Sequence, residues 1–111
     1  MEQEMLAGTR IGQPYTAGTW VVQSGQEEEF IRRWTEFTGW AQREVKGAQG
    51  FVLIRDVDEP THFQSFGAWE QPEAVSGWKS TPEFMQYLGR CRELCDDFQA
   101  ANYAVASAIA P

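Results

Sequence analysis

The sequence predicts one α+β domain of the ferredoxin-like class, with elements in the order β-α-β-β-α-β and an antiparallel sheet. Three observations lead to this class. The 111 residues suffice for one packed core and are too few for a second domain. Strand and helix patterns follow one another in the split βαβ order, and the strand segments are apolar on both faces.

The first half of the chain supplies a strand and a long helix. Residues 1–14 contain two glycines and a proline without periodicity, so we expect a loose N-terminal arm before a single domain over residues 15–111. Residues 15–23 (YTAGTWVVQ) are aromatic and β-branched, which predicts the first strand. Ser24 and Glu27 have the spacing of a capping box, which predicts that a helix begins there.

The second half continues with a hairpin and a divided helix. Residues 51–56 and 62–69 are short β-rich segments joined by turn residues, which predicts a hairpin. A short helix from Pro72 is followed by a longer one with Thr81 as its N-cap, and residues 102–109 form the predicted last strand. The predicted apolar face of the longer helix comprises Phe84, Leu88, Cys91, Leu94, Cys95 and Phe98.

Both faces of the predicted sheet carry apolar side chains. An antiparallel sheet with one face in water shows polar residues alternating with apolar ones, and these strands do not. Because the two helices cover one face, the other needs a second cover. A second copy of the chain is the economical choice, so we predict a homodimer formed through the sheet face.

Composition excludes several partners. A net charge of −7 and the scattering of nine Lys and Arg residues predict that the chain does not bind nucleic acid. No apolar run approaches the ~20 residues of a membrane span, and the N-terminus lacks a signal peptide, so we expect no membrane contact and a cytoplasmic location. Cys91 and Cys95 are interpreted as buried free thiols in preference to metal ligands, and no metal is predicted.

The chain is rich in aromatic residues that suit an apolar ligand pocket or, equally, a packed core. Trp34 and Phe84 favour the core because they lie at helical spacing. The candidates for the pocket are Trp69, Trp78, Trp34, Phe66 and Tyr87.

Few polar residues are candidates for chemistry. His62 has the one side chain that ordinarily titrates near neutrality, which makes it the first candidate for a general base, although an exposed hairpin histidine without a role is the stronger interpretation. Arg55 and Ser65 could bind a ligand oxygen, while an ion pair between Arg55 and Asp56 is the favoured alternative.

Several segments resemble the antibiotic biosynthesis monooxygenase superfamily, whose members are dimeric α+β barrels. The resemblance covers roughly residues 15–105, and it implies two sheets that face each other across a dimer. The segments that carry it are Ser24-Gly25, Gly47-Ala48-Gln49-Gly50-Phe51, Trp69-Glu70-Gln71-Pro72-Glu73-Ala74, Trp78 and Pro82-Glu83-Phe84.

The resemblance implies different chemistry in different branches. The haem-degrading branch matches at Trp78, but its iron-ligating histidine falls on Leu88 and its strand-one asparagine on Gly18. Leucine cannot ligate iron, so haem degradation is the least favoured interpretation. The cofactor-independent branch, which oxygenates polyketide phenols, matches at Trp69, while its asparagine falls on Ser65. Its tyrosine and histidine fall on Val75 and Val57.

The resemblance and the aromatic residues together favour a small monooxygenase that needs no cofactor and acts on a hydrophobic aromatic molecule. In that interpretation His62, Tyr87 and Trp69 are the catalytic candidates, with His62 or Tyr87 as proton acceptor. The substrate-binding candidates are Trp78, Phe66, Trp34, Ser65 and Arg55. The alternative is a non-catalytic dimer that binds a ligand or assists a pathway.

Overall fold

The computed structural model describes residues 9–109, which form an antiparallel sheet covered on one face by helices. The sheet has four strands in these residues, in the order β2-β3-β1-β4, and it does not close. This arrangement confirms the predicted ferredoxin-like class, including the division of the second helix. The elements are β1 (Pro14–Val22), α1 (Glu27–Glu44), β2 (Ala48–Arg55), β3 (His62–Trp69), α2 (Pro72–Lys79), α3 (Pro82–Arg92) and β4 (Cys95–Ala104).

The register of the strands places the large side chains of the core in one layer under the helices. Trp20 of β1 lies opposite Phe63 of β3 and Phe98 of β4. Because side chains alternate along a strand, Thr16 and Gly18 share this covered face with Trp20. Helix α1 closes it from above with the buried residues Phe30, Trp34, Phe37 and Ala41.

The start of α1 differs from the prediction. The helix begins at Glu27 with Gln26 before it, so Ser24 lies too far from the first turn to cap it. The Glu27 carboxylate instead accepts from the Gly25 N–H (2.9 Å), and Gly25 has a φ of 92° that turns the chain into the helix. The predicted capping box is therefore wrong, although the predicted helix is present.

The largest error of the sequence prediction lies at the C-terminal end. Helix α3 ends at Arg92, and Cys95 and Phe98 belong to β4, so the predicted helical face is too long and the predicted last strand begins seven residues too late. The physical reason is strand pairing, since β4 aligns with β1 from Cys95 opposite Val22 onward. The start of α3 agrees with the prediction, because Thr81 Oγ1 accepts from the Phe84 N–H (3.1 Å).

The open face of the sheet has exposed apolar side chains. Val52 is 38% exposed, Ile54 51% and Tyr103 60%. They share this face with Ala17 and Phe66, which face each other across β1 and β3. The described chain leaves this apolar face uncovered, as the sequence predicted.

The N-terminal arm falls largely outside the described residues, since residues 1–8 are not among them. Residues 9–13 lie against the domain. The Gly12 N–H donates to the Val105 carbonyl (2.8 Å), and the Val105 N–H donates to the Gln13 carbonyl (3.0 Å). The buried Gln13 side chain donates to Gln49 Oε1 (2.8 Å). Among residues 9–109, no helix is long and apolar enough to cross a membrane.

Candidate functional site

A cavity of about 270 Å³ lies between the helices and the covered face of the sheet. Its walls are mainly aromatic and aliphatic. It reaches the surface between Lys79 of α2 and Ala100 of β4, which are both exposed. The helices contribute Trp34, Phe37, Trp78, Phe84 and Leu88, and the sheet contributes Thr16, Gly18, Trp20, Phe51, Ser65 and Phe98.

One polar contact in the wall joins β1 to β3. The Trp20 Nε1–H donates to Ser65 Oγ (3.0 Å), and both residues are buried. Gly18, the cross-strand partner of Ser65, makes room for this hydrogen bond. A Cβ atom at position 18 would lie 2.8 Å from Ser65 Oγ and 2.9 Å from Trp20 Nε1, which is too close for either atom to stay in place.

A second indole-to-hydroxyl contact lies two residues further along the same strands. The Trp69 Nε1–H donates to Thr16 Oγ1 (3.0 Å). Gly67 lies opposite Thr16, and a Cβ atom there would lie 2.8 Å from the Phe51 ring and 2.9 Å from Thr16 Oγ1. The two glycines therefore allow two tryptophans to reach hydroxyl groups in the cavity wall.

Trp78 differs from these two tryptophans. Its side chain is 6% exposed, and its Nε1 has no hydrogen-bond partner in the part of the chain that the structure describes. A buried indole N–H ordinarily finds an acceptor, so this one marks an unmet polar requirement beside the cavity. Four aromatic rings hold the Trp78 ring at centroid distances of 4.7 to 6.0 Å: Phe84, Trp69, Phe37 and Phe51.

Lys79, at the cavity mouth, is the one ionisable residue of the described lining. Lys79 Nζ donates to Asn102 Oδ1 (3.2 Å), so the ammonium group joins α2 to the edge strand β4. Further in, the Thr38 hydroxyl group donates its hydrogen to the Trp34 carbonyl (2.9 Å), so that hydrogen is not available to a ligand. A ligand in the cavity would thus meet a positive charge at the entrance and apolar walls further in.

The structure brings the side chains of three predicted site residues together, because Trp34, Trp78 and Ser65 line the cavity. Phe66 contributes backbone to the lining, while its side chain lies on the open face of the sheet. Trp69 is fully buried behind the wall, where its ring packs on Trp78 at 4.9 Å. This placement lets Trp69 support the wall through Thr16 without reaching the cavity itself.

Tyr87 and His62, the predicted proton acceptors, lie away from the cavity lining. The Tyr87 ring is partly buried and stacks on Trp40 (5.2 Å) and Phe37 (5.9 Å) without belonging to the lining itself. The His62 Nδ1 atom lies 3.7 Å from a Glu59 carboxylate oxygen, and the side chain is 44% exposed. Both roles stay predictions.

Arg55 connects the turn of the hairpin to helix α1. Its Nε donates to the Pro60 carbonyl (2.7 Å), and its guanidinium lies 5.2 Å from the centre of the Phe63 ring and 3.6 Å from a Glu28 carboxylate oxygen. The expected partner Asp56 instead accepts from the backbone N–H groups of the turn, which lowers the pKa of its carboxyl group. The ion pair of Arg55 is therefore made with α1.

Sequence reasoning missed the residues that make the cavity specific. Thr16, Trp20 and Lys79 belong to the lining, and none of them was a candidate. Strand alternation already put residues 16, 18 and 20 on one face. The register that sets Gly18 opposite Ser65 was the missing information, because it depends on pairing between residues 47 positions apart.

The cavity does not fit a haem held in the way of the haem-degrading branch. Leu88, at the position of the iron ligand in that branch, lines the wall, and a hydrocarbon side chain cannot ligate iron. The cysteines are also poor ligands, because a thiol ligates as the thiolate and burial disfavours that form. Burial raises the pKa of the Cys91 thiol to about 12 and that of Cys95 to about 11.

Fold and site together define a ferredoxin-like α+β protein with an aromatic-walled cavity under its helices. The family model for the antibiotic biosynthesis monooxygenase domain matches residues 16–90, which is well over half of the chain. The chain therefore belongs to the antibiotic biosynthesis monooxygenase family, as the resemblance in its sequence implied. A search of curated proteins finds no match.

Solved structures agree on the fold. SnoaB, a cofactor-independent oxygenase from Streptomyces nogalater, superposes with a TM-score of 0.80 at 15% identity, covering 88% of this chain and 97% of that one. A candidate antibiotic biosynthesis monooxygenase from Bordetella bronchiseptica gives 0.75 at 16% identity, with 86% and 99% covered. A conserved protein from Methanosarcina mazei gives 0.75 at 10% identity, with 86% and 94% covered. At these identities the likeness concerns the fold alone.

Proposed function

We propose that the chain is a cofactor-independent monooxygenase that oxidises a flat, hydrophobic aromatic molecule inside the cavity. The observation that carries this proposal is the cavity itself: about 270 Å³, walled by aromatic rings and entered beside Lys79. Ligand sites are usually apolar concavities with a few placed polar groups, and this one has that character. Family membership and the oxygenase SnoaB with the same fold support the reaction type.

The proposed reaction converts an activated ring CH₂ group into a carbonyl with one O₂ and releases one water. The substrate first loses a C–H proton and becomes a carbanion stabilised by its aromatic rings. The carbanion transfers an electron to O₂, and a C–O bond forms to give a peroxide. Proton uptake and loss of water then leave the ketone, so that atoms and electrons balance. The protein contributes apolar walls around the reacting carbon and a positive charge at the mouth that stabilises the developing charge.

The proton acceptor in this proposal is solvent at the cavity mouth. The predicted acceptors His62 and Tyr87 lie off the described wall, whereas the mouth beside Lys79 is open to water. The positive charge of Lys79 favours the carbanion, or its oxyanion form, over the neutral substrate. Trp69 supports the reaction indirectly, by holding Thr16 in the wall.

Oxygen consumption with anthrones tests the proposal. We expect the folded protein to raise the rate of O₂ uptake above that of the anthrone in buffer alone, with one O₂ consumed per ketone formed. The control is an equal amount of protein unfolded in urea and diluted into the same assay. A folded protein that leaves the rate unchanged across a panel of anthrones and phenols would contradict the proposed activity.

A non-catalytic ligand-binding protein is the second candidate. It is favoured by the position of His62 and Tyr87 outside the lining, because the described wall then lacks a predicted base. Tight anthrone binding measured by calorimetry in the absence of oxygen, without any O₂ uptake once oxygen is admitted, would select this candidate.

We further propose that two copies pair through the open face of the sheet and that the protein resides in the cytoplasm. The exposed Val52, Ile54 and Tyr103 support the pairing, and the free thiols of Cys91 and Cys95 suit a reducing compartment. Light scattering should give twice the chain mass, and Ile54→Glu should give the mass of one chain. Met85→Glu is the control on the helical side, where an exposed apolar residue is also replaced. A monomeric unmodified protein would contradict the pairing.

A further inference from the structure

We propose that Trp20 sets the length of the ligand that the cavity accepts, so that about three fused rings fill it and a fourth ring stays outside. The inference rests on the proposed function in one respect, namely that a flat aromatic molecule occupies the cavity. It adds an upper limit on the size of that molecule and the side chain that imposes the limit.

The floor of the cavity consists of small residues in two neighbouring rows of the sheet. Gly18 lies opposite Ser65 on β3 and Ala100 on β4, and in the next row Thr16 lies opposite Gly67. All five residues belong to the lining. Residues on the same face of a strand are about 7 Å apart, so the two rows offer at most about 13 Å of floor. That length suits three fused rings in line.

Trp20 closes this floor at one end. Its ring packs at 4.0 Å on Phe98, the residue opposite it on β4, and its Nε1–H donates to Ser65 Oγ (3.0 Å). The indole leans back over the neighbouring row, since Nε1 lies 2.9 Å from the place of a Cβ atom on Gly18. Moving the ring would break the stack and leave its N–H without an acceptor, so a longer ligand meets a fixed wall.

The space behind Trp20 is filled by the core. Phe30 lies 5.1 Å from the Trp20 ring, and Phe63 lies 5.1 Å from Phe30, measured between ring centres. Both are buried, and neither belongs to the described lining. Along β1 the lining ends at Trp20, and along β4 it begins at Phe98. The cavity therefore stops at this pair of rings.

The mouth does not supply the missing length. A ring that projects between Lys79 and Ala100 lies in water and buries little apolar surface, so it adds little to the affinity. The whole cavity, about 270 Å³, is also smaller than the roughly 300–1,000 Å³ typical of sites for drug-sized ligands. Affinity should therefore rise with the number of rings only until the cavity is full.

Three ketones that differ in the number of fused rings test the limit: 1-indanone has two, fluorenone three and linear benzofluorenone four. Titration under nitrogen, followed by tryptophan fluorescence, measures binding without turnover. We expect fluorenone to bind about tenfold more tightly than indanone, because one more ring is buried. Benzofluorenone should bind no more tightly than fluorenone, since its fourth ring finds no place.

Trp20→Phe shortens the end wall by one ring and keeps an aromatic group against Phe98. The variant should bind benzofluorenone about tenfold more tightly than the unmodified protein does, while its affinity for indanone changes by less than about threefold. Trp40→Phe is the matched control, because Trp40 stacks on Tyr87 outside the described lining. The control should leave all three affinities unchanged.

The ring series on the unmodified protein does not depend on the folding of a variant. Benzofluorenone that binds it about tenfold more tightly than fluorenone, or a folded Trp20→Phe variant with the same ring preference, would overturn the length limit and leave the proposed function intact. Binding that obeys the limit, without O₂ uptake in the anthrone assay, would contradict the monooxygenase alone. Binding of none of the three ketones would overturn both.

Discussion

Trp20 and Trp78 each lie at the centre of an aromatic cluster under the helices, yet the two clusters differ in how they treat the indole N–H. The Trp20 cluster consists of Trp20, Phe30, Phe63 and Phe98, with ring distances from Trp20 of 4.0 Å to Phe98 and 5.1 Å to Phe30. Its indole donates to Ser65. The Trp78 cluster consists of Trp78, Phe37, Phe51, Trp69 and Phe84, and its central indole has no acceptor among residues 9–109.

The difference bears on stability. A buried indole with an acceptor adds to the stability of the folded chain, whereas a buried indole N–H without an acceptor among residues 9–109 costs part of it. The two tryptophans are similarly buried, 2% exposed for Trp20 and 6% for Trp78, so the contrast lies in their hydrogen bonding. Each of the following experiments bears on one side of this contrast.

Removal of Trp20 should have the largest effect. Trp20→Ala deletes a buried ring and leaves a void, so we expect the free energy of unfolding to fall by about 3–5 kcal/mol. Urea denaturation followed by circular dichroism measures this loss. Trp40→Ala is the control, because Trp40 is only partly buried and should lose much less. Equal losses in both variants would show that the Trp20 cluster is not the centre of stability.

Gly18→Ala should have the next largest effect. The added methyl group meets Ser65 Oγ at 2.8 Å and Trp20 Nε1 at 2.9 Å, so overpacking should lower the free energy of unfolding by about 1–3 kcal/mol. Gly77→Ala in α2 is a matched control, since a methyl group there meets nothing within 4 Å. That variant should gain up to about 1 kcal/mol from better helix propensity. Similar results for the two glycines would argue against the close approach at Gly18.

Filling the mouth of the cavity should affect binding far more than stability. Ala100→Leu places a larger side chain at an exposed lining position, so we expect a change below about 0.5 kcal/mol in the free energy of unfolding. Fluorenone, a flat tricyclic ketone of the size that the proposed function implies, should then no longer bind when titrated in a calorimeter. Ala104→Leu, an exposed position of β4 outside the lining, should bind fluorenone as before. Unimpaired binding to Ala100→Leu would contradict entry at this mouth.

The two thiol groups report how rarely the core opens where α3 leads into β4, and the experiment needs no variant. Burial raises the pKa of Cys91 to about 12 and of Cys95 to about 11, so both thiols are protonated at pH 8 and react slowly with a disulfide reagent. The rate should rise with pH, since the thiolate is the reactive form. Urea-unfolded protein is the control and should react at once. Rapid labelling at pH 8 in the folded state would indicate frequent local opening.

The sequence predicted the order of elements because local signals suffice for it. Thr81 with Pro82, the hairpin around Pro60 and the stripe of α1 are all local patterns. The end of α3 was mispredicted because Cys95 and Phe98 continue its helical spacing, and only pairing with β1 makes them strand residues. Non-local pairing overrides local periodicity there.

The candidate site was predicted only in part, because local patterns identify its aromatic residues but not their partners. Aromatic residues such as Trp34 and Trp78 stand out in the sequence, and both line the cavity. The partners of their indole groups do not stand out, because serine and threonine are common in strands. Trp20 reaches Ser65, whereas Trp78 reaches no acceptor among residues 9–109, and this difference depends on details of packing that no pattern of residue types records.

Gly18 also constrains how this sequence can change over generations. The resemblance to the haem-degrading branch sets the strand-one asparagine of that branch at position 18, and no asparagine fits here while Trp20 and Ser65 keep their places, since even one carbon atom meets both within 3 Å. A larger residue at position 18 therefore requires a change at Trp20 or Ser65 as well, so substitutions at these three neighbouring positions are coupled.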